Sequence, residues 1–311
     1  MRSPIAELAE TYPQLYLDPD RCSIDEYKAA VLSGDRPRSE SLSHFACDGR
    51  DTAERIMTPA GEALVVTIFD RRDFETFVRC MMAAKEGPEK PVPATMGAST
   101  LTAFNWPRIF ARRDAFLKEQ REAGVENPDW GAEFRRFTSV KDNYIDTFIV
   151  LSRGPYSNVS AEAVSSASGI QMSEEEWIEK SGEIRKYHEL THFVCRKLRP
   201  EMIDAVWDEL VADAAGIYAA FGRFDRKTEE LFLGISDGRY IGGRLENYLG
   251  EDEDIDALSQ RISAVLQEFA ATADQSSGSD VFGFMTALED RQGELWKQAR
   301  KRARKAVKNS R

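Results

Sequence analysis

Histidine is nearly missing from this chain: there are three in 311 residues. Cysteine is scarce too. Cys22, Cys47, Cys80 and Cys195 lie so far apart that no CxxC pair exists. That spacing excludes a cysteine-ligated zinc ribbon and a dithiol redox motif, and buried free thiols are expected instead. No run of about eighteen apolar residues occurs, so no membrane-spanning helix is expected. The opening MRSPIAELAETYPQLYLDPD lacks the apolar centre of a secretion signal, and the expected location is the cytoplasm. Positive charge is also short, with 42 Lys/Arg against 53 Asp/Glu and a net charge of −11. The last fifteen residues, Lys297–Arg311, hold eight of those cations and no acid, leaving −19 for the remainder. An acidic body of this kind argues against a nucleic-acid partner, and the basic end reads as a solvated or self-associating tail without the apolar face a membrane helix needs.

What the chain does have is an ordinary globular balance, 42% apolar and 31% charged residues, over a length that can bury a sizeable core. There is no internal repeat. GEALVVTIF (Gly61–Phe69) and YIDTFIVLS (Tyr144–Ser152) are apolar and β-branched, and read as strands. Between them, Phe74, Phe77, Val78 and Met81 recur at helical spacing behind a possible cap at Asp70. PEKPVPATMGAST is broken by three prolines and reads as a loop, followed by a helix from about Pro107 to Gly124. Ser173 and Glu176 form a capping-box pattern at the head of a helix that must stop near Pro200. Pro200 is expected to open the next helix, which should end at Gly222. Two further helices are expected over about Asp254–Ala273 and Asp280–Lys308. The outline is α+β, with a small mixed sheet in residues 1–172 and a helix-rich part in residues 173–311.

Two of the three histidines fall four apart in KYHELTHF, with a glutamate after the first. On a helix, His188 and His192 share one face one turn apart, where two imidazoles can converge on one tetrahedral zinc. Glu189 lies just off that line and can act as general base on a metal-activated water. A plain helix carrying two histidines is the alternative. A third ligand is required, and His44 lies far upstream. DELVAD supplies Glu209 and Asp213 at i, i+4 on the next helix, which a turn at Arg199–Pro200 can fold back. Val206, Trp207, Leu210, Val211 and Ala214 surround them, so one acid is expected to turn inward, where it needs a cation or donor. Small residues through Ala212–Gly216 permit the two helices to approach closely. Cys195, at i+3 from His192, is a minor alternative ligand.

HExxH followed on a later helix by ExxxD resembles the gluzincin, thermolysin-like metallopeptidases, over about Tyr187–Ala214. The resemblance implies a zincin-like fold, with the sheet packed on the HExxH helix. It implies His188, His192 and Glu209 as ligands of one zinc ion, Glu189 as base, and Asp213 as the partner of His188. The gap from His192 to Glu209 is shorter than in that family, which leaves Asp213 and Asp208 as alternative third ligands. That family also uses a tyrosine and a downstream histidine to stabilise the oxyanion. No histidine follows His192 here. Tyr240, Arg244 and Tyr248 in GRYIGGRLENYL are the candidates, with Tyr240 and Arg244 foremost. Zincin peptidases bind substrate beside an edge strand; by that resemblance TFIVLSRGPYSNVS is the expected edge strand and its loop, and a plain core strand is the equal alternative. The chain as a whole also resembles uncharacterised bacterial proteins with YHELTHF, DELVAD and PATMGA-type segments. The expected activity is hydrolysis of peptide or amide bonds in a peptide or protein substrate. A non-catalytic metal-binding or scaffold protein, and a narrow-specificity effector, are the competing readings.

The remaining motifs carry less. VPATMGASTLTAFNW, with Thr95, Ser99, Asn105 and Trp106, could line a pocket but reads more simply as structure. GISDGRYIGG matches neither glycine-rich nucleotide loop, and GEDEDID lacks the spacing of an EF-hand.

Overall fold

The computed structural model describes residues 3–294 except 84, 202–203, 251–253 and 277. The chain is α+β and divides into two units, Met1–Arg55 with Leu64–Ser152, and Ile56–Ala63 with Arg153–Arg311. The tip of the first β-hairpin, Ile56–Ala63, belongs to the second unit.

The first unit holds α1 (Pro4–Ala9), α2 (Ile24–Ser33), β1 (Thr52–Thr58), β2 (Gly61–Ile68), α3 (Arg71–Cys80), β3 (Ala98–Phe104), α4 (Trp106–Glu122), α5 (Trp130–Phe137) and β4 (Ile145–Ser152). Its sheet runs β1-β2-β4-β3, with β2 parallel and β3 antiparallel to β4. Val66 and Ile68 on β2 share a core with Phe148 and Val150 on β4 and with Phe74, Phe77 and Val78 on α3. Those three α3 residues are fully buried, each contributing about 1.5–3 kcal/mol. Asp70 caps α3 by accepting from the Asp73 amide at 2.9 Å.

Two strands were not expected. β1 is exposed over most of its length, so TAERIMT carries no buried face to betray it. β3, in ASTLTAF, buries only Leu101 and Ala103. Their presence corrects the reading of β4 as a substrate-binding edge. β4 has a hydrogen-bonded neighbour on each side and is buried from Phe148 to Ser152; β1 and β3 are the sheet's edges. An interior strand has no free backbone groups to offer an added strand.

The second unit holds α6 (Ala161–Ser168), α7 (Glu174–Leu198), α8 (Ala205–Phe221), α9 (Arg226–Leu233), the two-residue strands β5 (Ile235–Ser236) and β6 (Arg239–Tyr240), α10 (Ile255–Gln275) and α11 (Val281–Asp290). The capping box at α7 is complete: Glu176 N–H donates to Ser173 Oγ, and Ser173 N–H donates to Glu176 Oε2 at 2.7 Å. α7 stops before Pro200 as expected. Pro200 does not open α8, however. That helix starts at Ala205, where the Asp204 carboxylate accepts from the Trp207 amide at 3.0 Å. Gly222 ends it at φ +70°. The expected last helix is described only as far as α11 and the few residues after it, and the basic end lies outside the described residues. No described helix is long and apolar enough to cross a membrane.

α7 and α8 form an antiparallel pair. Residue 184 meets 216, 188 meets 213, and 192 meets 208 and 209. A Cβ on Gly216 would stand 2.6 Å from the Ile184 carbonyl oxygen, so only glycine allows this approach. Trp177, Ile184, Trp207, Leu210, Val211 and Phe232 belong to the apolar core around the pair.

Candidate metal centre

His188 and His192 are both buried on α7, and Glu209 faces them from α8. His188 Nε2 lies 3.1 Å from His192 Nε2. Glu209 Oε2 is 3.7 Å from the first of these nitrogens, and Oε1 is 3.5 Å from the second. Each imidazole also meets a carboxylate at its other nitrogen. His188 Nδ1 is 2.9 Å from Asp213 Oδ1, and His192 Nδ1 is 2.8 Å from Asp208 Oδ2.

The two Nδ1–carboxylate contacts and the Nε2–Nε2 contact decide the protonation pattern. An ionised carboxylate only accepts, so each Nδ1 must carry the hydrogen. Each neutral ring then presents a bare lone pair at Nε2. Two lone pairs 3.1 Å apart repel, and a cation or a proton must lie between them. With no cation, a proton takes the place. Burial disfavours the charged form of His188, but the Asp213 hydrogen bond and the charges of Asp213, Glu189 and Glu209 outweigh it and raise its pKa above the usual value.

Do the residues fit a metal? A tetrahedral zinc with bonds of about 2.0–2.1 Å sets its ligand atoms about 3.3 Å apart. The two nitrogens are 3.1 Å apart, each has a different Glu209 oxygen at 3.5 or 3.7 Å, and one ligand atom from each residue falls within 4.8 Å of the others. Two imidazoles and a carboxylate also suit zinc's borderline softness. The carboxylates on both Nδ1 atoms are the supporting groups such a site requires to fix ring orientation and raise basicity. The Glu209 side chain is 27% exposed, against 10% and 5% for the histidines, so solvent reaches the cluster from the Glu209 side.

The third-ligand alternatives differ in where they stand among the described residues. Asp213 and Asp208 stand at the Nδ1 atoms, away from the convergence of the Nε2 atoms, and only Glu209 completes the cluster of three. Asp213 is fully buried. Burial alone would raise its pKa, but the Arg244 charge and the His188 hydrogen bond prevail and hold it at about 2. Cys195 is buried, and burial with the charges of Glu289 and Asp208 pushes its thiol up to about 12, so it is a poor nucleophile.

The expected oxyanion donors fare differently. The Tyr240 hydroxyl donates to the Gly243 carbonyl and accepts from the Gly243 amide, which ties it into its own loop. Arg244 does reach the site, but on the Nδ1 side of His188, where it pairs with Asp213 and donates to the Tyr156 hydroxyl at 3.1 Å. Its guanidinium therefore holds a carboxylate and does not face the ligand cluster. Tyr248 is the tyrosine beside the ligands: its hydroxyl donates to Glu209 Oε2 at 2.9 Å. Burial raises its pKa, so it stays a donor. Glu189 is half-buried on α7 beside His188.

Sequence reasoning missed two participants. Asp208 was weighed only as a ligand, although DELVAD places it one residue before Glu209. Tyr156 gave no local signal, because its loop meets His188 only through the fold.

A family model matches residues 7–291, nearly the whole chain. The chain belongs to DUF7005, a family of unknown function. No curated protein and no solved structure matches it. Membership in DUF7005 carries no assigned chemistry, so the reading of the site rests on its geometry.

Proposed function

We propose that this DUF7005 protein is a zinc-dependent hydrolase of peptide or amide bonds. The observation that carries the reading is the pair of opposed Nε2 atoms, each aimed by a carboxylate on its own Nδ1, with Glu209 beside them. His188, His192 and Glu209 would hold the ion. A bound zinc supplies Lewis acidity, polarising a carbonyl and lowering the pKa of water toward neutrality. Glu189, adjacent to the first ligand and half-buried, would take the proton in this reading. Tyr248 orients Glu209 and is the nearest phenol donor to that carboxylate. The zincin-like element of the fold, in this reading, is the α7–α8 pair with HExxH on one helix and ExxxD on the other.

A second reading, a non-catalytic metal-binding or scaffold protein, has one observation in its favour. Tyr240 and Arg244, the two expected oxyanion donors, are engaged elsewhere. Against it stands Glu189, for which a purely structural ion has no use.

Glu189→Gln separates the two. Zinc-loaded wild type is expected to cleave denatured casein or a mixed fluorogenic peptide library. The variant should lose about 10²–10⁴-fold in rate while keeping its zinc. Equal, non-zero rates in both would remove Glu189 from the mechanism. Zinc binding with no cleavage of any probe by wild type would favour the second reading.

A further inference from the structure

We propose that Tyr156 is a positioning residue of the metal centre: its hydroxyl, together with Asp213, fixes the proton of His188 on Nδ1 and so aims the Nε2 lone pair at the ligand cluster. The proposal rests on the metal reading of the site.

A phenol hydroxyl has one hydrogen to give and two lone pairs. Tyr156 has three polar neighbours: Asp213 Oδ1 at 2.6 Å, His188 Nδ1 at 3.0 Å and an Arg244 terminal nitrogen at 3.1 Å. Asp213 is ionised and only accepts, so the hydroxyl hydrogen points to it. Arg244 only donates, so it takes one lone pair. What remains facing His188 is the second lone pair, and Nδ1 must donate to it. Asp213 Oδ1, 2.9 Å from the same nitrogen, demands the same proton. The alternative, with the hydroxyl donating to a bare Nδ1, would set that nitrogen's lone pair against a carboxylate oxygen. Two independent acceptors thus enforce one tautomer, and every hydrogen-bonding capacity of the phenol is used. Burial, opposed by Arg244 but aided by Asp213, raises the Tyr156 pKa well above its usual value, so the hydroxyl keeps its hydrogen.

The surroundings are built to hold it there. Ser181, Arg185 and His188 fall at i, i+4 and i+7 on one face of α7, and all three grip the segment Gly154–Tyr156. The Tyr156 amide donates to Ser181 Oγ at 3.0 Å, and Arg185 donates to the carbonyls of Gly154 and Pro155, each at 2.7 Å. The ring lies within reach of two guanidinium groups, Arg244 at 5.2 Å and Arg185 at 5.8 Å, with Phe232 edge-on at 5.0 Å. The next two residues, Ser157 and Asn158, adopt φ of +52° and +56° without being glycine. Side-chain-bearing residues take that conformation at a cost, and such strain gathers where a fold places a functional group.

Tyr156→Phe removes the hydroxyl and keeps the ring. Two readouts are needed. Long-range ¹H–¹⁵N spectra of the metal-free protein, titrated until the imidazole is neutral, report the His188 tautomer. Chelator competition reports zinc affinity. Asp213 still accepts from Nδ1 in the variant, so a minor Nε2–H fraction absent from wild type is expected beside the main Nδ1–H form, with zinc bound about 10–100-fold more weakly. Phe284→Leu, a cavity in the same core, controls for lost stability, since Phe284 is fully buried away from these hydrogen bonds. It should retain the single Nδ1–H tautomer and wild-type affinity. A Tyr156→Phe protein with His188 still wholly Nδ1–H, or with zinc affinity within twofold of wild type, overturns the inference. So does an equal loss of affinity in Phe284→Leu. A wild type that binds no zinc refutes the metal reading instead, and the tautomer spectra then still decide the role of Tyr156.

Discussion

The two units bury charge in different ways. In the first unit each buried acid answers to a local need of the fold. Asp73 accepts from the amides of Ala46 and Cys47, Asp51 accepts from the Phe69 amide, and Glu133 pairs with Arg112 and Arg136. These groups are dispersed, and each anchors a loop or forms an ion pair. In the second unit five buried ionisable groups gather on the α7–α8 pair, Arg185, His188, His192, Asp208 and Asp213, while Glu229 and Glu230 lie on α9 and Glu289 on α11. Loop anchoring explains Arg185. It does not explain two histidines held with their bare nitrogens face to face. Burying charge is costly everywhere, and on the metal reading proposed above a cation replaces the proton that otherwise lies between the two nitrogens.

The sharpest way to break this contrast is to remove one anchor from each unit. Asp213→Ala strands the Arg244 guanidinium and frees His188. It is expected to destabilise the protein by about 3–5 kcal/mol in urea unfolding and to abolish zinc binding. Asp73→Ala removes the acceptor of the Ala46 and Cys47 amides, which water can reach in part, and should cost about 0.5–1.5 kcal/mol, with zinc binding unchanged. If both variants bind zinc alike, the contrast fails.

Gly216→Ala is next in size. The added methyl would meet the Ile184 carbonyl at 2.6 Å and force α7 from α8. A loss of about 1–3 kcal/mol is expected, with weakened zinc affinity, because the ligands sit on opposite helices. Gly61→Ala in the β1–β2 turn meets no atom within 4 Å; only its φ of +106° is strained, so it should lose stability without weakening zinc binding.

The smallest effect concerns the cap of α7. The Ser173 amide and hydroxyl bond to Glu176 and hold its pKa below the usual 4.5. A carboxylate depressed in the folded state adds stability that is complete above its unfolded value. That contribution is lost as pH falls through the lower, folded value. Thermal midpoints of wild type and Glu176→Gln should therefore differ at neutral pH and converge in acid below 4.5. Parallel curves down to strong acid would show that the cap contributes nothing.

Much of the site was legible because it is local. HExxH and ExxxD each place their residues by helical period alone, and Ser173, Pro200 and Gly222 marked where α7 begins and ends and where α8 ends, though not where α8 begins. What the pattern could not convey is tertiary. Tyr156 reaches His188 from a loop 32 positions away, and Arg244 turns to Asp213 across 31. Tyr240 and Arg244 looked alike as loop residues among glycines, yet one closes its own turn and the other supports a histidine. The sheet shows the same limit. β2 and β4 announce themselves because both strands are buried, whereas β1 and β3 are the edges and have no such pattern. Reading β4 as an edge followed from not seeing β3.

The central claim is that the paired Nε2 atoms and Glu209 hold one metal ion. Metal analysis of protein equilibrated with buffered zinc tests it most directly. One zinc per chain is predicted in wild type and in Glu189→Gln, with loss of the ion in His192→Ala. Absence of zinc from wild type, or its full retention in His192→Ala, would contradict the account.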